Sequence, residues 1–99
     1  MLNQEAFDMI EGRFSAHVKL FNSADVSLDD SDAHYWTVKD RLELARVALE
    51  RAPEIQVTTL PRSLGDVYRA VRTNLTPEEL ASWDESNEAL HELSEKYGT

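Results

Sequence analysis

Cysteine is absent from the chain, so neither disulfides nor thiolate metal sites can form, and the composition fits a cytoplasmic protein. Glycine occurs three times, isolated at positions 12, 65 and 98, which excludes a glycine-rich phosphate loop and a Gly-x-Ser-x-Gly nucleophile elbow. No stretch reaches the ~18 consecutive apolar residues that a membrane-spanning helix needs. The opening MLNQEAFDMIEG is acidic where a secretory leader would be basic, and it lacks a continuous apolar core. Positive charge is scarce: 10 Lys and Arg stand against 19 Asp and Glu, for a formal net charge of −9. Nucleic acid binding draws on Lys and Arg to release counter-ions, so this field repels DNA, RNA and anionic membranes and attracts basic partners. Strand signals are almost missing. Only Glu54 to Leu60, EIQVTTL, alternates, and a lone strand has nothing to pair with, so an extended connector is expected there.

What the chain does have is helical periodicity. Tyr35, Val38, Leu42, Ala45, Leu49 and Ala52 recur at spacings of three and four, with Lys39, Arg41, Glu43, Arg46 and Glu50 on the other faces. This is the most regular seam in the chain, and the rest is expected to pack on it. Pro53 ends that helix at Ala52, because proline cannot continue it. Upstream, Ser27 is an N-cap with Asp29 and Asp30 in the first turn, and Ser31 competes for the same role. A first helix from Asn3 to Phe21 carries Phe7, Ile10, Phe14, His17 and Phe21, widened by Val18, with Gly12 offering close approach to a neighbour. A third helix from Pro61 to Asn74 points Leu64, Val67, Val71 and Leu75 inward.

Thr76-Pro77-Glu78-Glu79 is a capping box with proline at the first helical position, and Leu75 can staple onto Leu80. The helix that follows carries Leu80, Trp83, Leu90, Leu93 and Tyr97 and stops at Gly98. The expected fold is therefore all-α: one domain over residues 1–99, a small four-helix up-and-down bundle. Its third helix is short, and the third and fourth form a tight hairpin. Phe14, Leu42, Leu49, Val67, Trp83 and Leu90 are the expected shared core.

Chemistry is thinly represented. His17, His34 and His91 are the only imidazoles. Glu88 and His91 match one Glu-x-x-His unit of a helical di-iron centre, but such centres need two units and two further inward carboxylates. Asp30 and His34 lie one turn apart without a third ligand. His17 sits on an apolar seam with no nominated nucleophile or orienting carboxylate, so a neighbour-bonded core or edge histidine is expected. No metal, cofactor or catalytic residue is assigned, and the chain is not read as an enzyme. Arg62, Arg69 and Arg72, with Asp66 and Tyr68 nearby, give one basic stripe beside a tight turn. In a helix-turn-helix the next helix would read DNA, and here that helix is acidic. Pairing of these arginines with the acidic helix is the better expectation.

That last helix holds Glu78, Glu79, Asp84, Glu85, Glu88, Glu92 and Glu95 against Lys96 alone, so six of the nine net negative charges lie there. Glu85, Glu88, Glu92 and Glu95 line one outward stripe, where like charges one turn apart destabilise a helix by ~0.2–0.5 kcal/mol per pair. Stability alone would interleave lysines. The stripe is expected to meet a basic surface on a protein partner, which the chain would block or regulate as acidic immunity proteins, antitoxins and nucleic-acid mimics do. The analogy rests on size and charge. The alternative is an assembly subunit that dimerises or docks through apolar surface, with Trp36 and the EIQVTTL segment as contacts and a homodimer as one form. Asn87 falls on the seam, where a buried amide can fix register or partner number, or else marks a wet end of the bundle.

Overall fold

In the computed structural model, residues 4–22, 25–51 and 63–97 are described, and all the regular structure among them is helical. The helices are α1 (Gln4–Asn22), α2 (Leu28–Arg51), α3 (Leu64–Thr73) and α4 (Pro77–Tyr97). The segment read as a strand or connector, Glu54 to Leu60, lies outside the described residues, as do Ala52, Pro61, Arg62 and Gly98.

The starts of α2, α3 and α4 each have a polar side chain that closes the first turn. Ser27 Oγ accepts from the Asp30 amide at 3.2 Å, so Ser27, not Ser31, caps α2. Ser31 instead donates to Asn22 Oδ1 at 3.1 Å and ties the end of α1 to the start of α2. Ser63 Oγ accepts from the Asp66 amide at 3.3 Å, so α3 begins at Leu64 rather than at Pro61. At α4 the capping box closes in both directions. The Glu79 amide donates to Thr76 Oγ1 at 3.2 Å, and the Thr76 amide donates to Glu79 Oε1 at 2.9 Å.

The four helices form the small bundle expected from the sequence, with α2 as its central member, packed against the other three. The particle measures 44 × 26 × 17 Å, so its thinnest dimension is two helix layers. Pairs along α2 fix the directions. Phe21 and His17 meet His34 while Phe14 meets Arg41, so α1 runs antiparallel to α2. Asp30 meets Lys96 and Arg51 meets Glu79, so α4 is antiparallel to α2 as well. As a result α1 and α4 run the same way, whereas simple alternation along the chain would set α2 and α4 parallel. The joint from α3 to α4 is as tight as expected, three residues from Asn74 to Thr76. Yet α3 rests chiefly on α2 and α1 rather than on α4.

Ala6, Ile10 and Phe14 of α1, Val38, Ala45, Ala48 and Leu49 of α2, Val67 and Val71 of α3, Leu75, and Trp83 of α4 make the buried cluster. Of the expected core, Phe14, Leu49, Val67 and Trp83 are in it, and Leu42 and Leu90 are half-buried against it. The phase of α2 differs from the expected seam. Its buried line is His34, Val38, Arg41, Ala45, Ala48 and Leu49. Tyr35 faces solvent at 44% exposure, and Arg41, placed by periodicity on an outer face, is 4% exposed. The small Ala45 and Ala48 let neighbouring helices close on this line, and the bulky Tyr35 and Leu42 fall to its edge. Gly12 also departs from expectation: a methyl there would meet nothing within 4 Å, so no neighbour uses the space.

Two stability measurements follow. Leu49→Ala should cost ~2–5 kcal/mol by chemical denaturation and Leu42→Ala distinctly less, because only the first empties a closed site; equal losses would return the seam to its expected phase. Thr76→Ala should cost ~1 kcal/mol in the same assay, and an unmoved midpoint would show that α4 does not depend on its cap.

Candidate functional site

α4 has two chemically different sides. Trp83 turns inward with half-buried Leu80, Leu90 and Leu93, and Glu85, Glu88, Glu92 and Glu95 all stand exposed on the other side. None of the four pairs with a lysine or arginine among the described residues; Glu95 meets His91 at 3.1 Å in an exposed contact. The cations go elsewhere: Arg46 to Glu50, Arg51 to Glu79, Arg72 to Asp84 and Lys96 to Asp30. Glu79 shows what such pairing does to a carboxyl, since Arg51 and the Thr76 backbone amide draw it down to about 2. Arg72 meets the acidic helix as expected, through Asp84 at 2.5 Å.

Glu85 opens onto a groove between α2 and α4 with a volume of about 580 Å³, lined also by Asp40, Glu43, Thr37, Ser82 and Ser86. The carboxylate surface therefore continues from α4 onto α2. A scan of one helix at a time does not reveal this, because Asp40 and Glu43 become neighbours of Glu85 only once the helices pack.

On the opposite side of α4 lies a cleft of about 490 Å³ whose wall includes Phe14, Val38, Tyr68, Trp83, Leu90 and four cationic or imidazole groups besides Arg41: Arg13, Arg72, His17 and His91. Arg41 enters it from the core. Its Nη1 donates to the Trp83 carbonyl at 2.7 Å and to Ser86 Oγ at 2.9 Å, and Ser86 donates in turn to the same carbonyl at 2.7 Å. The guanidinium lies over the Trp83 ring, 3.8 Å from its centroid, with Phe14 at 5.4 Å. Its Nε has no partner, and no carboxylate is within ion-pair distance among the described residues. Burial pushes Arg41 down to about 10, with Tyr68 and Asp84 pulling the other way. Asn87, expected on the seam, is exposed at the rim of this cleft and fixes no register in the core.

Two of the three histidines, His17 and His34, come together, and His91 lies apart against Glu95. Phe21 and His34 rings lie parallel with centroids 4.1 Å apart, and His17 continues the stack 5.4 Å from His34. His17 Nδ1 and His34 Nε2 are 3.2 Å apart and share one hydrogen bond, so His17 does have the expected neighbour bond, and the neighbour is another imidazole. His34 is fully buried and its Nδ1 has no partner. Asp30 turns away from it, to Lys96 at 2.8 Å and to the Tyr97 hydroxyl. Among the described residues no group of three His, Asp or Glu is placed to hold a metal ion, and no helix is long and apolar enough to cross a membrane.

No family model, no curated protein and no solved structure matches the chain.

Sequence reading passed over Arg41, although the line His34, Val38, Arg41, Ala45, Ala48 is itself a regular run of fours and threes. Choosing it would have required weighting the two alanines above the size of Tyr35 and Leu42.

Burial and the neighbouring His17 hold His34 below its ordinary value of 6.5. Above that value the imidazole is neutral in both folded and unfolded chains. As pH falls through it, the unfolded chain takes up the proton more readily, so the fold loses stability. His34→Phe, which keeps the stack with Phe21, should make the loss between about pH 7 and about pH 5 shallower in urea titrations. An unchanged pH slope would show that His34 does not carry it.

Proposed function

We propose that the chain is a small cytoplasmic acidic protein that binds a basic surface of another protein and blocks or regulates it, with Glu85, Glu88, Glu92 and Glu95 on the contact face. The observation that carries this reading is the distribution of partners. Among the described residues the ion pairs involving lysine and arginine go to Glu50, Glu79, Asp84 and Asp30, and the α4 stripe has none. Asp40 and Glu43 extend the same potential across the α2–α4 groove. Such a field speeds encounter with a basic partner and repels nucleic acid and anionic membranes. The proposed action is occupancy of the partner's surface rather than chemistry.

A second reading, an assembly module, draws support from one patch. Trp36 is 61% exposed and touches Tyr35 edge to face, with ring centroids 5.5 Å apart, on the outer side of α2. Light scattering at micromolar concentration distinguishes the two: a salt-insensitive dimer supports the module, and a monomer supports the blocker.

The direct test is charge reversal on the stripe. Glu88→Lys with Glu92→Lys should leave helicity and stability intact, since both side chains are exposed and neither has an ion pair among the described residues. Association with the partner, captured from the native cell, should slow by tenfold or more at low salt, with a flatter salt dependence. Equal rates and equal salt slopes would leave the stripe as a solvated face.

A further inference from the structure

We infer that the cleft walled by α1, α3 and α4 and floored by Arg41 of α2 is a binding site for a small monocarboxylate with an aromatic body. This site is independent of the carboxylate stripe, which lies on the other side of α4.

The charge of the cleft is opposite to that of the molecule. In a chain of net charge −9, Arg13, Arg41 and Arg72 converge on one depression of about 490 Å³, a size suited to a small organic ligand. Of these, Arg72 is already committed to Asp84 at 2.5 Å. Arg13 is exposed and has no ion-pair partner among the described residues. Arg41 is buried without a carboxylate and with Nε unpartnered. A buried guanidinium with no direct ion pair among the described residues is unusual; its desolvation is offset by two hydrogen bonds from one nitrogen, two aromatic faces and the more distant Asp84, which is itself bonded to Arg72. An anion reaching it would supply a direct ion-pair partner, and the planar fork of arginine matches a carboxylate.

The walls select the rest of the ligand. Half-buried Tyr68 and Leu90 offer apolar surface to the cleft, backed by the buried rings of Phe14 and Trp83, which lie 6.4 and 6.1 Å from the Tyr68 ring, centroid to centroid. A ring can stack there. The number of charges is limited as well. Asp84 lines the same cleft, and its carboxylate disfavours a second negative charge on the ligand. A monoanion with an aryl group satisfies both conditions; inorganic phosphate has no ring and is in part dianionic at neutral pH.

The experiment is a titration of the full chain, isotopically labelled, with sodium benzoate, benzamide or inorganic phosphate, followed by nuclear magnetic resonance. Benzoate should shift the Trp83 indole and Arg41 Nε–H signals saturably while the Trp36 indole stays still, and benzamide and phosphate should bind at least tenfold more weakly. Arg13→Ala, at an exposed position, should weaken benzoate about three- to fivefold without loss of helicity. Arg41→Met should abolish it; if that variant does not fold, Arg13→Ala and the benzamide comparison still decide. Benzamide or phosphate binding as tightly as benzoate, Trp36 shifting in step with Trp83, or an Arg13→Ala variant that binds like the wild type would each overturn the assignment.

Discussion

A buried guanidinium with no direct ion pair among the described residues sits where the helices of this bundle meet. Arg41 projects from α2 to the backbone of α4 at Trp83 and Ser86 and lies between the rings of Trp83 and Phe14, so one side chain touches three of the four helices. Burying a cation this far from water is costly, and the charge-assisted bond to a carbonyl together with two aromatic faces offsets it. The register of α2 on α4 is therefore set at mid-length by Arg41. It is set again at the ends, where Arg51 meets Glu79 and where Lys96 and Tyr97 meet Asp30. Those terminal pairs also hold α4 antiparallel to α2.

The same economy of cations divides the surface. With ten basic residues for nineteen acids, at least nine acids have no counterpart, and the fold sets Arg51 and Lys96 at helix junctions and Arg13, Arg41 and Arg72 in the cleft. The outer side of α4 and the adjoining rim of α2 are left negative, while the inner side of α4 closes a cationic depression. One helix thus separates two regions of opposite potential, which is why the proposed protein-binding face and the proposed small-anion site can share it without sharing residues. Helix dipoles act in the same direction at the ends: Glu79 lies in the first turn of α4 against Arg51 in the last turn of α2.

Local chemistry was legible in the sequence because it acts over a few residues. The cap at Thr76 and Glu79, the cap at Ser27, the four amphipathic segments and the exposure of Glu85, Glu88, Glu92 and Glu95 all depend on neighbours within a turn or two, or on the polarity of a single face. The prominence of α2 was readable for the same reason: its periodicity is long and unbroken. What sequence determined by itself was thus an all-helical bundle with defined starts for α2 and α4 and an acidic outer stripe. Tertiary structure alone decided which of two adjacent stripes on α2 turns inward, because that depends on how closely its neighbours approach. Ala45 and Ala48 admit them, so His34 and Arg41 are buried and Tyr35 is displaced to solvent. It also decided the direction of α4, the meeting of Asp40 and Glu43 with Glu85, and the convergence of Arg13, Arg41 and Arg72. These side chains are tens of residues apart in the chain, and only close packing of the helices makes them neighbours.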